Sequence, residues 1–156
     1  MRGERGVEKK EREARKAAMA ALSLAPGEEL RRLWDAAGFA AEAEALRGPE
    51  TGLVTLRGRM GGGGAAFNLG EATVTRATVR LSTGEIGHAY ALGRDRAKAR
   101  LSAIVDALWQ RADTRADIEA RIVAPLVAAQ VAADATLRAE TAATKVDFFT
   151  MVRGED

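Results

Sequence analysis

Residues 73–92 read TVTRATVRLSTGEIGHAYAL, and this stretch decides the fold class. Its first part is rich in β-branched residues, and Thr83-Gly84 separates it from a second strand-like run, Ile86–Leu92. Two such runs joined by a short turn predict an antiparallel β-hairpin. A two-residue turn at Thr83-Gly84 pairs Val79 with His88, and this register decides which side chains share a face.

This register gives the predicted hairpin one apolar face and one basic face. The apolar, core-like face carries Ala77, Val79, Leu81, Ile86, His88, Tyr90 and Leu92. The basic face carries Arg76, Thr78 and Arg80 beside Gly87, Ala89 and Ala91. Arginines flanked by very small residues form a shallow, positively charged surface on which another group can lie. We expect His88 to be hydrogen-bonded and half-buried, and to act as a ligand or acid–base group only where a partner supplies the rest of the site.

A further strand-like run, followed by four glycines, precedes the hairpin. Leu53–Met60 alternates apolar residues with polar ones that include Arg57 and Arg59, and Gly61–Gly64 follows directly. One interpretation is a wide turn or bulge between strands, and the other is a backbone cradle for an anion. A phosphate-binding P-loop is excluded because no Gly-Lys-Ser/Thr ends the run and no helix follows it. Arg57 and Arg59 leave contact with an anion open.

The tripeptide Gly93-Arg94-Asp95 lies where the hairpin meets the clearest predicted helix, Arg94–Ala112. Asp95 is an N-cap candidate, and Arg94 lies beside a helix N-terminus suited to anions. A cap with a solvated arginine is the simpler interpretation. The candidate anion- or partner-binding residues are therefore Arg57, Arg59, Gly61, Gly62, Arg76, Arg80 and Arg94.

Helical patterns flank the strands. Residues 8–24 have helix-forming composition and end before Pro26-Gly27, and Glu28–Ala37 follows with Gly38 as its C-terminal glycine. Ala41–Leu46 fits a helix by propensity and a strand by context. The apolar stripe of the 94–112 helix should pack on the sheet. Beyond it, Asp113 or Thr114 can cap a helix that Pro125 breaks or restarts, and residues 126–143 are helical.

These patterns predict an α+β fold, with a small, mainly antiparallel sheet packed by helices, N-terminal helices and an extended C-terminal tail. We divide the chain into a charged leader at 1–16 that is frayed or helical, a single domain at 17–144 and a docking tail at 145–156. The tail is apolar where most chain ends are polar and frayed. Its candidate docking residues are Val146, Phe148, Phe149, Met151 and Val152.

Composition restricts the chemistry. The 156 residues include no cysteine and one histidine, which excludes a disulfide, a zinc-thiolate site, an iron–sulfur cluster or a cysteine nucleophile within the chain. We therefore predict no metal site, and no catalytic residue can be named. Residues 1–16 carry a net charge of +3 and the rest of the chain −1, which together give the net +2. Because this leader mixes both signs, nucleic-acid binding is not expected. No apolar run approaches a membrane span and no secretory signal is present, so we expect a cytoplasmic protein.

Several segments together resemble the PhnG family, the G subunit of the bacterial carbon–phosphorus lyase core complex. The resemblance covers about residues 15–154. The segments that carry it are ETGLVTLRGRMGGGG (50–64), Phe67 with Gly70, TRATVRL (75–81), Gly84 and Gly87, GRD (93–95), DAL (106–108), IVAPL (122–126) and KVDFFTMVRG (145–154). The last segment is long enough to be quite specific.

The resemblance implies a required subunit of a hetero-oligomer with the H, I and J subunits, and indirectly with the ATPase-like K and L proteins. It implies a reaction in which an alkylphosphonate displaces adenine from ATP, giving a ribose 1-alkylphosphonate 5-triphosphate such as the methylphosphonate product. The J subunit would then break the carbon–phosphorus bond with an iron–sulfur cluster and S-adenosylmethionine. No cofactor is expected on this chain alone.

A scaffold role fits the low aromatic content and the apolar tail. Two alternatives stay open at this point. The chain can contribute residues such as His88 or Arg94 to a composite active site. It can also be a free-standing anion- or nucleotide-binding module.

Overall fold

The computed structural model describes residues 2–144, which form one three-stranded sheet and four helices. The elements in chain order are α1 (Arg2–Leu24), α2 (Gly27–Ala37), β1 (Ala43–Arg59), β2 (Ala66–Leu81), β3 (Ile86–Leu92), α3 (Arg96–Trp109) and α4 (Arg115–Ala143). The predicted α+β class is confirmed. The predicted docking tail, 145–156, lies outside the described residues.

The sheet is antiparallel with the order β1-β2-β3. Helix α3 contacts all three strands, and Ala103 and Ala107 are buried where it lies over β3. Val79 is fully buried on that face, because alternate residues of a strand point to the same side. The core thus lies between α3 and one face of the sheet, and α1, α2 and the start of α4 complete it.

The register of the β2–β3 hairpin differs from the predicted one by a single residue. Val79 lies opposite Gly87, and Arg80 lies opposite Ile86. The Leu81 N–H donates to the Glu85 carbonyl and the Gly84 N–H donates to the Leu81 carbonyl, so the loop contains three residues rather than two. Gly84 has a φ of +105°, which fits the extra left-handed residue of a bulged hairpin turn.

A one-residue slip sends every side chain of β3 to the opposite face of the sheet. Gly87, Ala89 and Ala91 therefore face the core, while His88 and Tyr90 are exposed. The core-like placement of His88 was wrong for this reason. The predicted shallow basic surface, with arginines beside very small residues, was wrong as well. The residues that share the face of the arginines are instead Ile86, His88, Tyr90 and Leu92.

The two strands on either side of the glycine turn are much longer than the predicted runs, 53–60 and 73–81. β1 starts at Ala43, so the strand alternative for Ala41–Leu46 is the one that forms. β2 starts at Ala66 and continues without interruption into the predicted hairpin strand. Register shifts around Arg47 allow Pro49 to lie in this edge strand.

Helix α4 continues through Pro125. A π-helical turn, Glu119–Val123, immediately precedes the segment that contains this proline, and such a turn can absorb the missing N–H and the bulk of the ring. Of the two alternatives at Pro125, the break is wrong, whereas a fresh α-helical segment does start at Ala124 with the proline in its first turn. By length and composition alone, α4 could cross a membrane, which contradicts our expectation for apolar runs. A single such helix is weak evidence for a membrane span, and much of its apolar surface is alanine.

Asp95 caps α3 as predicted. Its Oδ1 accepts a hydrogen bond of 2.8 Å from the Lys98 N–H. This bond is the main cause of a lowered pKa of Asp95, and the nearby Arg31 guanidinium lowers the pKa further. Gly38 likewise ends α2 in the left-handed conformation, with a φ of 67°.

We expect Asp95→Ala to lower the free energy of unfolding by about 1 kcal/mol near neutral pH, the usual cost of losing an N-cap. Because the pKa of Asp95 is lowered in the folded state, its contribution is present above the unfolded pKa of about 4 and is lost as the pH falls through the folded pKa. Urea unfolding of both proteins between pH 3 and pH 7 measures this. A gap between them that stays equally large at pH 3 would contradict the assignment.

Candidate functional site

The end of the β1–β2 hairpin extends beyond the third strand. β3 ends at Leu92, which lies opposite Val74, so among residues 2–144 the part of β2 before Val74 has β1 as its only neighbouring strand. We call residues 53–73 the arm. A two-stranded ribbon without a packed face is at best marginally stable in water. Among residues 2–144, the arm has neither a third strand nor a helix packed along its length.

One face of the arm is apolar. Val54, Leu56 and Gly58 alternate along β1, and Phe67 lies directly opposite Gly58. Leu69 is the extra residue of a bulge, and its side chain lies over Gly58, where an added Cβ would be 2.5 Å from Leu69 Cδ1. Leu56, Phe67 and Leu69 are 47%, 42% and 64% exposed. Large apolar side chains grouped on an exposed face mark an interaction surface.

The other face of the arm is polar apart from Leu53 at its base, and it holds two of the candidate arginines, Arg57 and Arg59. The Arg59 Nη1 donates to the Gly64 carbonyl at 3.0 Å, so this arginine braces the turn at the tip. Gly61 has a φ of +60°, and a Cβ at Gly64 would lie 2.9 Å from the Met60 carbonyl oxygen. The glycine run thus makes the wide turn that one interpretation predicted.

The remaining candidate arginines lie elsewhere. Arg76 and Arg80 are on the face of the sheet opposite α3, where they pair with Glu50 at 3.0 Å and with Glu44 at 2.9 Å. Arg94 is exposed in the loop between β3 and α3. The seven candidate residues therefore do not form one surface: Arg57 and Arg59 flank the glycine turn on one face, and Arg76 and Arg80 lie on the other.

The sheet face opposite α3 continues the apolar face of the arm. Ile86, Tyr90 and Leu92 are 41%, 50% and 56% exposed on this face. A shallow cavity of about 210 Å³, lined in part by Val54, Val74 and Tyr90, joins them to the arm. We call this surface, from Ile86 through Tyr90 to Phe67, the outer face. Sequence reasoning missed it because the predicted register placed Tyr90 and Leu92 in the core.

A buried ion pair connects α1, α3 and β3. The Asp106 side chain is 1% exposed, and its two oxygens accept from Arg15 Nε at 2.9 Å and Arg15 Nη2 at 2.8 Å. Its Oδ2 also accepts from the His88 N–H at 2.9 Å. The Asp106 carboxylate raises the pKa of the Arg15 guanidinium. This cluster fixes helix α1 and strand β3 to α3.

A second polar contact holds the other end of α1. Lys98 is 6% exposed, and its Nζ donates to the Ser23 carbonyl at 2.7 Å. Burial lowers the pKa of Lys98. Within residues 2–144, no group of three or more His, Asp or Glu side chains is arranged to hold a metal ion. The described residues thus combine exposed apolar surfaces with buried polar contacts that join α1, α3 and β3.

Comparison with known proteins identifies the group to which this chain is related. The family profile described as "Phosphonate metabolism protein PhnG" matches residues 13–154. The protein of Rhizobium meliloti (strain 1021) named "Alpha-D-ribose 1-methylphosphonate 5-triphosphate synthase subunit PhnG" is 58% identical over 142 residues, which are 91% of this chain and 90% of that protein. Its name describes a subunit of a synthase. The chain therefore belongs to the PhnG family of phosphonate metabolism proteins.

Proposed function

We propose that this chain is a required structural subunit of the complex that forms α-D-ribose 1-methylphosphonate 5-triphosphate from ATP and methylphosphonate in phosphonate catabolism. Its membership of the family and the name of its relative support a role as one subunit among several. In this proposal its direct partners are the H, I and J subunits in the cytoplasm. The K and L proteins act indirectly, and the iron–sulfur cluster with S-adenosylmethionine belongs to the J subunit.

The exposed apolar face of the arm carries the proposal. Leu56, Phe67 and Leu69 lie on a ribbon that no helix of residues 2–144 covers, and water is a poor environment for such a face. A partner that packs on this face removes apolar surface from water and orders the ribbon at the same time. A subunit whose arm is completed by its neighbours is typical of an obligate complex.

The test is co-expression with the H, I and J subunits and purification through a tag on this chain. We expect Phe67→Ser/Leu69→Ser to reduce the recovered partner subunits at least tenfold, because the apolar anchors of an interface dominate its affinity. Both side chains are exposed, so the melting temperature of the isolated chain should change little.

The matched control is Asn68→Ser/Glu71→Ser, which alters the polar face of the same arm. This control should recover the partners as the unaltered chain does. Full recovery of partners by the apolar-face variant would contradict the proposed role of the arm. A direct contribution of His88 or Arg94 to a composite active site, and docking by the tail residues Val146–Val152, stay predictions.

A further inference from the structure

A cleft of about 680 Å³ lies between α1 and β3. β3 is an edge strand of the sheet, and α1 is fixed beside it through Arg15 and Asp106. One wall of the cleft is the strand segment from His88 to Ala91, and the other is a face of α1 that includes Met19 and Ala20. The cleft therefore runs along an open strand edge with a helix on its far side.

The backbone at this edge points into the cleft. The His88 N–H donates to Asp106 Oδ2 at 2.9 Å, and the Ile86 carbonyl accepts from Gln110 Nε2 at 2.8 Å. The even-numbered residues of β3 therefore turn their peptide groups away from β2, as alternation in an antiparallel pair requires. Tyr90 follows the same pattern, and no hydrogen bond within residues 2–144 reaches its N–H or its carbonyl.

Unpaired strand edges are usually blocked by charge, a bulge or a covering element, because they pair readily with another strand. Here Asp106 and Gln110 close the first part of the edge and leave the part at Tyr90 open. The open part faces a cleft rather than bulk solvent, so a strand that enters finds a wall for its side chains as well as partners for its backbone.

The charge and polarity of the residues that line the cleft indicate which kind of ligand it can bind. Arg12 and Lys16 lie at one end of the cleft, and none of the ion pairs described for residues 6–144 includes either of them. Met19, Ala20 and Leu22 make the adjoining wall apolar. Ser102 also lines the cleft, and its buried hydroxyl has no hydrogen-bond partner among the described residues. Such a surface suits apolar side chains with a carboxylate nearby.

We propose that an extended segment of a partner subunit, with apolar side chains and at least one acidic residue, pairs with β3 at Tyr90 as a fourth strand of the sheet. This inference rests on the proposed function, since it requires a partner subunit. Strands pair at a spacing of about 4.8 Å, and an added strand would lie over the exposed face of α1. Its carboxylate would meet Arg12 and Lys16, and its backbone would bond to the Tyr90 N–H and carbonyl. A small, highly charged ligand fits this site less well because the cleft wall is largely apolar.

The test is hydrogen exchange of the Tyr90 amide in the full chain alone and in the complex with H, I and J. Ala89 and Ala91 are internal references, because their amides face β2 and should be protected in both states. We expect the Tyr90 amide to exchange at least tenfold more slowly in the complex than in the free chain. The variant Arg12→Glu/Lys16→Glu should weaken this protection, whereas Lys9→Glu/Lys10→Glu, outside the cleft, should leave it unchanged.

Each other outcome overturns the inference. Equal exchange of the Tyr90 amide in both states means that no strand is added, even though the complex has formed and the proposed function stands. The Tyr90 amide could already be protected in the free chain and lose this protection when the chain is shortened to residues 1–144. That result would assign the cleft to residues 145–156 instead of a partner. If the Tyr90 amide is equally protected in the complex of the Arg12→Glu/Lys16→Glu variant, the added segment does not carry the proposed acidic residue. If no complex forms, the proposed function fails and the inference fails with it.

Discussion

Gly87→Ala should destabilise the chain by about 3 kcal/mol or more, or prevent it from folding. Gly87 lies on β3 directly beneath α3. A Cβ added there would lie 1.9 Å from the Ala103 carbonyl oxygen and 2.7 Å from the Ala107 nitrogen. Both are backbone atoms of a helix, so no side chain can rotate away to make room. The helix would have to move off the sheet and open the close-packed core that it covers.

The matched control for Gly87→Ala is Gly52→Ala. Gly52 also lies in a strand, but a Cβ there would have no atom within 4 Å. Alanine is favoured over glycine in a strand by roughly 0.5–1 kcal/mol, so Gly52→Ala should be neutral or slightly stabilising. Urea unfolding of the three proteins measures the difference. A Gly87→Ala chain within 1 kcal/mol of the unaltered protein would show that α3 does not approach the sheet this closely.

Local signals in the sequence were sufficient for several elements. The limits of α2, its terminal Gly38 and the Asp95 cap of α3 depend on residues within a few positions of each other, and all were predicted. The hairpin between β2 and β3 was predicted for the same reason. Its register was not, because a turn with one extra residue at Gly84 cannot be distinguished from a two-residue turn by composition alone.

The missed parts of the candidate site depend on non-local structure. The arm is exposed because β3 stops opposite Val74, and the pattern of Leu53–Met60 is the same whether or not a third strand covers it. The Arg15–Asp106 pair joins residues 91 positions apart, for which the sequence gives no local signal. The cleft beside β3 requires both the corrected register and this pair, so it could be recognised only in the folded structure.

Replacing Asp106 should have the other large effect on stability. We expect Asp106→Ala to cost about 3 kcal/mol, since it leaves the His88 N–H without its acceptor and Arg15 without its counter-ion. Arg15 retains 32% exposure, so water can solvate it in part, which keeps the cost near the lower end for a broken buried pair. Asp106→Asn keeps an acceptor for His88 and should cost less.

A double-mutant cycle with Arg15→Ala and Asp106→Ala separates the pair itself from the rest of the effect. The Arg32–Glu29 pair is the natural comparison, because its contacts of 2.6 and 2.8 Å are as short, while the Glu29 side chain is 31% exposed and the Asp106 side chain only 1%. Exposed pairs are screened and cost side-chain entropy to hold, so Arg32–Glu29 should show a far smaller coupling than Arg15–Asp106. Equal coupling energies for the two pairs would mean that the burial of Asp106 adds nothing to the strength of the Arg15–Asp106 pair. The Arg15–Asp106 pair fixes the position of α1 relative to β3 and so keeps the cleft between them open. A strong pair is therefore required if the strand edge at Tyr90 is to stay accessible.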